Sequence, residues 1–174
     1  MQETATKLLE SKFPVLLEKF KDSILDATDF RGNFTLVIEP SKIRDMVRFL
    51  KEDSLFRMDM LMDLFGMDYD LFEPPMPERF CVVYQLVSLF QKQRIFLKVY
   101  LKEDAPKVDS IHDLYAAANW FEREAWDLFG IVFEGHPHLK RILCHNEFVG
   151  HPLRKDYQSD KYQPLRTAIT AKEF

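Results

Sequence analysis

Two apolar segments joined by a short polar turn constrain the fold of this chain more than any other feature. Residues 79–90 are apolar at successive positions around Cys81-Val82-Val83-Tyr84, whereas residues 94–102 alternate between apolar and polar side chains. The three residues between the segments predict a β-hairpin. Because a strand that is apolar on both faces needs cover on both faces, residues 79–90 are predicted to lie inside a sheet.

Helical patterns occur before and after this hairpin. Residues 4–20 carry apolar side chains at helical spacing, and Pro14 is expected to kink or split that helix. Residues 43–50 repeat the spacing of an amphipathic helix. Ser110 and Asp113 fit a capping box, which predicts a long helix that starts after Ser110 and stops at Gly130.

Further strands are predicted at residues 24–30, 34–39 and 57–65, the first two joined by a turn at Gly32. The methionines and aromatic residues of positions 56–72 could line an apolar pocket, but packing in the core explains them more simply. The order of the elements predicts an α+β fold, with a mixed or mainly antiparallel sheet and helices packed on it.

Composition excludes several classes of function. The five glycines lack the spacing of a loop that binds nucleotide phosphates. Cys81 and Cys144 are too few for an iron–sulfur cluster, which usually takes four thiolates, and they are expected to be free and mostly buried. The net charge of −4 argues against binding to nucleic acid, and no apolar run is long enough to cross a bilayer. The start of the chain does not resemble a signal or transit peptide.

The character of the sequence changes at residue 131, where regular periodicity fades and prolines and histidines collect. From His136 to Arg166 six basic and three acidic residues give a formal charge of +3. We therefore predict a core domain at residues 1–130 and an extended C-terminal arm at residues 131–174 that gains its order on a partner.

Charged residues cluster on the predicted last helix. Glu122, Glu124 and Asp127 could serve acid–base chemistry or bind a cation, and Arg123 could pair with Asp127 one turn later. The alternative is a surface or interface stabilised by ion pairs. No nucleophile or cofactor motif accompanies these carboxylates, which favours the alternative.

Histidines and one cysteine of the arm could supply metal ligands, namely His136, His138, Cys144, His145 and His151. Their spacing matches none of the usual structural zinc sites, so no metal site is predicted. A second segment in the arm combines an apolar anchor, two cations, an acid and an aromatic residue. It is either a docking peptide or an ordinary exposed tail, and it reads Gly150-His151-Pro152-Leu153-Arg154-Lys155-Asp156-Tyr157.

These residues resemble the signature of one respiratory subunit family. The motif from Asn119 to Ile131, Phe133-Glu134-Gly135-His136-Pro137 and Lys140-Arg141-Ile142-Leu143 is similar to the 30-kDa subunit of mitochondrial complex I and to its counterpart in bacterial NADH:quinone oxidoreductase. The octapeptide at 150–157 resembles the second hallmark of that family, and Asp63-Leu64-Phe65-Gly66-Met67-Asp68-Tyr69 extends the likeness more weakly. The signature residues are Glu122, Arg123, Glu124, Asp127, Gly130, His136 and Lys140.

The resemblance implies an α+β subunit of the peripheral arm, on the cytoplasmic side of the bacterial inner membrane. It implies a chain without catalytic residues, cofactor or metal, because FMN and the iron–sulfur clusters of that family lie in partner subunits. The arm is expected to lie along the large quinone-site subunit. Arg154 and Lys155 would contact its carboxylates or carbonyls, while Leu153 and Tyr157 would fill apolar pockets.

Three other functions remain open at this point. The chain could be the equivalent subunit of a ferredoxin- or F420-dependent dehydrogenase or of a membrane-bound hydrogenase. It could also be a stand-alone metalloenzyme that uses the histidines and Glu124, or a regulatory adaptor outside any redox complex.

Overall fold

The computed structural model describes residues 3–160. Within them the regular elements are α1 Glu3–Lys12, α2 Pro14–Phe20, β1 Ile24–Phe30, β2 Asn33–Ile38, the 3-10 turn Pro40–Lys42, α3 Ile43–Glu52, β3 Met60–Asp68, β4 Phe80–Ser88, β5 Gln93–Leu101, β6 Lys107–Asp109, α4 Ala118–Phe129 and β7 Val132–Glu134. Pro14 ends α1 and starts α2, as expected of a residue that lacks the backbone N–H of a helix interior.

Five strands form one mixed sheet in the order β1-β2-β5-β4-β3. The β1–β2, β4–β5 and β3–β4 pairs are antiparallel, and β2 pairs with β5 in parallel. The predicted α+β class and the predicted hairpin are therefore confirmed. β4 lies between two strands and is buried at each position from Phe80 to Tyr84, which explains its apolar sequence.

The main core lies between the sheet and the helices. The apolar stripe of α3 is fully buried there, and it consists of Ile43, Met46, Val47 and Leu50. The opposite face of the sheet carries a smaller cluster built on Tyr69, Cys81 and Val83. Cys81 is buried and Cys144 half-buried, and both thiols are free.

Two predicted elements begin later than the sequence indicated. The last helix starts at Ala118 rather than after Ser110, because both residues of the predicted capping box have tertiary partners. The hydroxyl of Ser110 donates to Glu122, and the carboxylate of Asp113 accepts from Arg44. β3 starts at Met60 rather than at residue 57, since the preceding residues form a turn after α3.

The methionine-rich segment does not lie wholly in the core. Met58 is fully buried, but Met60 and Met62 are 39% and 42% exposed and Phe65 is 39% exposed. These three lie on β3, the last strand of the sheet, whereas Leu61 and Leu64 of the same strand are buried in the main core. Packing in the core, the favoured prediction, therefore holds for Met58 alone among these four.

The predicted division at residue 130 does not coincide with a gap between structural units. β7 pairs with β6 in parallel, and Ile131 and Phe133 are buried in the main core. The first residues of the predicted arm therefore pack with the core domain, because their apolar side chains are buried in it. Residues 161–174 of the predicted arm lie outside the described residues.

Candidate functional site

The carboxylate of Asp127 joins α4 to the chain that follows it. Asp127 is fully buried, and its Oδ2 accepts backbone N–H groups of Ile142, Leu143 and Cys144 at 3.0, 2.8 and 2.9 Å. Its Oδ1 lies 2.6 Å from Nη1 of Arg141. Four donors thus converge on one buried anion, an arrangement that satisfies its charge without solvent.

The electrostatics of Asp127 follow from these contacts. Burial alone would raise the pKa of this carboxyl, but the three backbone donors and the Arg141 guanidinium outweigh burial and lower the pKa to about 2. Arg141 also donates to the carbonyl oxygens of Phe148 and Gly150, at 2.7 and 3.0 Å. The pair therefore fixes residues 141–150 against α4.

The octapeptide at 150–157 caps the C-terminal end of α4. Nδ1 of His151 lies 2.9 Å from the carbonyl oxygen of Asp127, and the backbone N–H of Leu153 donates to the carbonyl of Leu128 at 3.0 Å. Nε of Arg154 donates to the carbonyl of Phe129 at 2.5 Å. The last carbonyls of a helix lack partners within the helix and carry partial negative charge, so donors and a cation stabilise them.

Gly130 makes this close approach possible. It ends α4 in the left-handed conformation, with φ of +76°, as the sequence predicted. A Cβ at this position would lie 2.5 Å from Nη2 of Arg154 and 2.7 Å from the His151 ring. The α4 motif and the octapeptide therefore fit together only with glycine at position 130, because of its backbone conformation and because there is no space for a Cβ.

Glu122 is held in a second buried site on α4. Its Oε2 accepts from the hydroxyl of Ser110 at 2.5 Å, and its Oε1 accepts from the backbone N–H of Ile111 at 2.8 Å. Burial raises the pKa of Glu122 to about 7, against the opposing effect of these two hydrogen bonds. The carboxyl fixes the turn that leads into α4, and solvent does not reach it.

Arg123 and Glu124 point away from these buried sites. Arg123 donates to the carbonyls of Lys140 and Arg141, at 3.1 and 2.9 Å, and its guanidinium lies over the Trp120 ring. The expected Arg123–Asp127 pair is therefore wrong, because Arg141 is the partner of Asp127. Glu124 is exposed, so the signature carboxylates do not share one face.

The histidines do not converge on a common point. Nε2 of His136 lies 3.1 Å from the carbonyl of Asn119, and its Nδ1 accepts the backbone N–H of His138 at 3.0 Å. Burial lowers the pKa of His136 and of His151, which favours the neutral rings. Among residues 3–160 no group of three or more His, Cys, Asp or Glu side chains could hold a metal ion.

An ion-pair network that the sequence did not indicate ties the end of the octapeptide to the sheet. Arg79 pairs with the buried Asp68 at 3.0 Å and with Asp156 at 2.9 Å. The backbone N–H of Lys155 donates to Asp68 at 2.8 Å. Asp68 lies within the weaker family motif, but nothing in the sequence links it to a residue 87 positions away.

The octapeptide therefore differs from the predicted docking peptide in where its side chains point. Arg154 lies over the Phe80 ring and Tyr157 stacks on Phe148, so both are engaged within the chain. Lys155 is exposed, and Leu153 is 50% exposed. Lys155 and Leu153 are the side chains of the docking hypothesis that remain accessible to a partner.

Comparison with known proteins agrees with these motifs. Residues 36–163 match the family described as "Respiratory-chain NADH dehydrogenase, 30 Kd subunit". An NADH-quinone oxidoreductase subunit of Cereibacter sphaeroides is 44% identical over 145 residues, 83% of this chain and 70% of the relative. The subunit of the same name from a Roseiflexus species is 46% identical over 135 residues, 78% of this chain and 75% of the relative.

Solved structures share the fold. A trypsin-resistant fragment of Nqo5 superposes with a TM-score of 0.64 at 37% identity, over 72% of this chain and 98% of the fragment. A chain of an archaeal membrane-bound sulfane sulfur reductase superposes with a TM-score of 0.68 at 23% identity, over 90% of this chain and 87% of that chain, a likeness of fold alone. With its family motifs folded into one site around α4, the chain belongs to the 30-kDa subunit family of respiratory-chain NADH dehydrogenase.

Proposed function

We propose that this chain is a non-catalytic structural subunit of the peripheral arm of a proton-pumping NADH:quinone oxidoreductase. In this role it helps to assemble the module that passes electrons from NADH through FMN and iron–sulfur clusters to quinone, with those cofactors held by other subunits. The identity of 44–46% to NADH-quinone oxidoreductase subunits of two bacteria, over most of the chain, carries the proposal.

The use of the signature residues supports a structural role. Glu122 and Asp127 are fully buried and bonded to Ser110, Ile111 and the 141–144 segment, and a substrate could not reach either carboxylate without unfolding that site. His151 caps a helix end rather than facing a cleft. These residues hold the chain in shape, which is what a subunit that presents a surface to partners requires.

The partner in this proposal is the large quinone-site subunit, and the chain meets the membrane only through such partners, on the cytoplasmic side of the bacterial inner membrane. The segment after α4 exposes the ammonium of Lys155 and three apolar side chains, namely Leu143, Val149 and Leu153 at 63%, 72% and 50% exposure. Exposed apolar side chains that lie together on a surface mark a site for a protein partner. No helix within residues 3–160 has the length and apolar character needed to cross a bilayer.

The test is co-migration in the native host. The tagged chain is expected in a large complex that stains for NADH oxidation on a native gel after gentle solubilisation of membranes. A large complex inactive with NADH would contradict the NADH-type assignment and favour the ferredoxin, F420 or hydrogenase relatives. A free chain of about its own mass would contradict the role as a subunit.

The contact with the quinone-site subunit has its own test. A photo-crosslinking residue at Lys155 is expected to capture that subunit in the purified complex. Lys92 is the matched control, because it is also a lysine but lies in the β4–β5 turn, at the other end of β4 from Phe80. Equal capture from both positions, or none from Lys155, would contradict the proposed orientation.

A further inference from the structure

We infer that a notch between β3, α4 and the octapeptide receives one large apolar side chain, flanked by Lys or Arg, from a partner subunit. This inference rests on the proposed function, since it needs a complex in which a partner is present. The notch has a volume of about 240 Å³, and its walls include Asp63, Phe65, Glu124, Leu128, Phe129 and Leu153.

Three separate family motifs meet at this notch. Residues 63–66 of β3, residues 124–129 of α4 and Leu153 of the octapeptide each contribute to it. The approach of α4 to β3 depends on Gly66, where a Cβ would lie 2.7 Å from the Phe129 ring. The notch is therefore a product of the same packing that joins the motifs, and its shape is fixed by buried neighbours.

Size argues for a side chain rather than a small molecule. Sites for small molecules and cofactors generally measure about 300 to 1,000 Å³, so this notch is below that range. A single anchor residue that fills a pocket is the usual centre of a protein interface. Phe65 and Leu153, at 39% and 50% exposure, present apolar surface at its mouth that such an anchor would cover.

The acidic side chains at the notch indicate which residue should flank the anchor in the partner. The carboxylates of Asp63 and Glu124 stand at the notch, and within residues 3–160 neither forms an ion pair with a Lys, Arg or His nitrogen within 4 Å. Two other acids of these motifs, Asp127 and Asp68, each have an arginine partner inside the chain. A Lys or Arg beside the anchor would supply the missing counter-charge.

Backbone pairing is a poorer explanation of this surface. β3 is the last strand of its sheet, but the backbone N–H of Leu64 at the notch already donates to Oδ1 of Asp63 at 2.9 Å. A strand added at this point would have to displace that bond. Insertion of a side chain leaves it intact.

The test uses the intact complex purified from the native host, with a photo-crosslinking residue at Leu153. The matched control carries it at Leu89, which is also exposed but lies in the β4–β5 turn. We expect position 153 to capture a partner segment with Leu, Met or Phe next to Lys or Arg, and position 89 to leave that segment unlabelled. Mass spectrometry of the product identifies the segment.

A charge reversal gives an independent measurement. Glu124→Lys is expected to lower retention of the chain on the salt-washed complex about tenfold or more relative to Glu18→Lys, the same change at an exposed position of α2. Equal retention of the two variants would overturn the inference. So would capture from position 153 of a second copy of this chain, of a segment without the stated residues, or of nothing, in a complex that oxidises NADH. Loss of the wild-type chain from every NADH-oxidising complex would instead overturn the proposed function.

Discussion

Replacement of Asp127 by Asn tests the central contact of the fold around α4. Asn preserves the shape of the side chain but removes its charge. The Arg141 guanidinium, whose side chain is 13% exposed, then loses its carboxylate, and the three N–H groups of residues 142–144 face a weaker acceptor or an amide donor. The variant therefore separates charge from volume at a fully buried position.

The expected loss of unfolding free energy in Asp127→Asn follows from two properties of the site. The pKa of Asp127 falls from 3.8 to about 2, and this shift corresponds to about 2 kcal/mol of stability at neutral pH. Breaking a buried ion pair by removing one partner costs about 3–5 kcal/mol, since the other charge stays buried. We expect a loss in this second range, which lowers the melting temperature by about 6–20 °C in a domain of this size.

The assay is thermal unfolding of the purified chain, together with hydrogen exchange at the amides of residues 142–144. Asp113→Asn is the matched control, because Asp113 also pairs with an arginine but its side chain is 43% exposed, so its loss should cost less than about 1 kcal/mol. The wild type should lose the Asp127 contribution as pH falls from about 4 through 2, and the Asn variant should lack that component. A melting temperature within about 2 °C of wild type, with unchanged exchange, would refute the argument.

Two further predictions concern the same helix. Gly130→Ala should cost about 2 kcal/mol or more in unfolding free energy, because the new Cβ would clash with Arg154 and His151 and the backbone is left-handed. Gly135→Ala is the control: its φ is +79° but no atom lies within 4 Å of the new Cβ, so only the strain of the left-handed backbone, about 1 kcal/mol, should be lost. Equal losses in denaturant titrations would contradict the packing argument. Because the pKa of Glu122 is raised from 4.5 to about 7, ionisation of this carboxyl lowers the stability of the wild type as pH rises through that range. Glu122→Gln removes this ionisation, so the variant should be more stable than wild type at pH 8 by about 3 kcal/mol. A difference in stability between variant and wild type that stays the same from pH 5 to pH 8 would show that burial does not raise the pKa of Glu122.

Local pattern predicted the elements whose side chains repeat regularly. The β4–β5 hairpin, the α3 stripe, the break at Pro14 and the stop at Gly130 all appear in the structure at or within two residues of the predicted positions. The α4 start was misplaced by several residues. Ser110 and Asp113 satisfy the local rule for a helix cap, but their side chains are used by Glu122 and Arg44, which lie elsewhere in the chain.

In the candidate site, too, the sequence predicted some features and missed others. Its residues were present in the family motifs, but most of their roles depend on partners distant in sequence. Arg141 rather than Arg123 pairs with Asp127, and Arg154 caps α4 instead of reaching outward. The sequence did not indicate the pairing of Arg79 with Asp68, because an arginine directly before a strand and an acid eleven residues earlier form no recognisable local motif.

By itself, the sequence determined the family and the α+β alternation of helices and strands, since both depend on residue types at short spacing. The tertiary structure alone decided that residues 131–157 pack against the core instead of standing apart from it. A basic segment without periodicity has no amphipathic pattern from which its burial could be predicted. Its backbone N–H groups instead find the Asp127 carboxylate and the free carbonyls of α4, and such hydrogen bonds leave no pattern in the sequence.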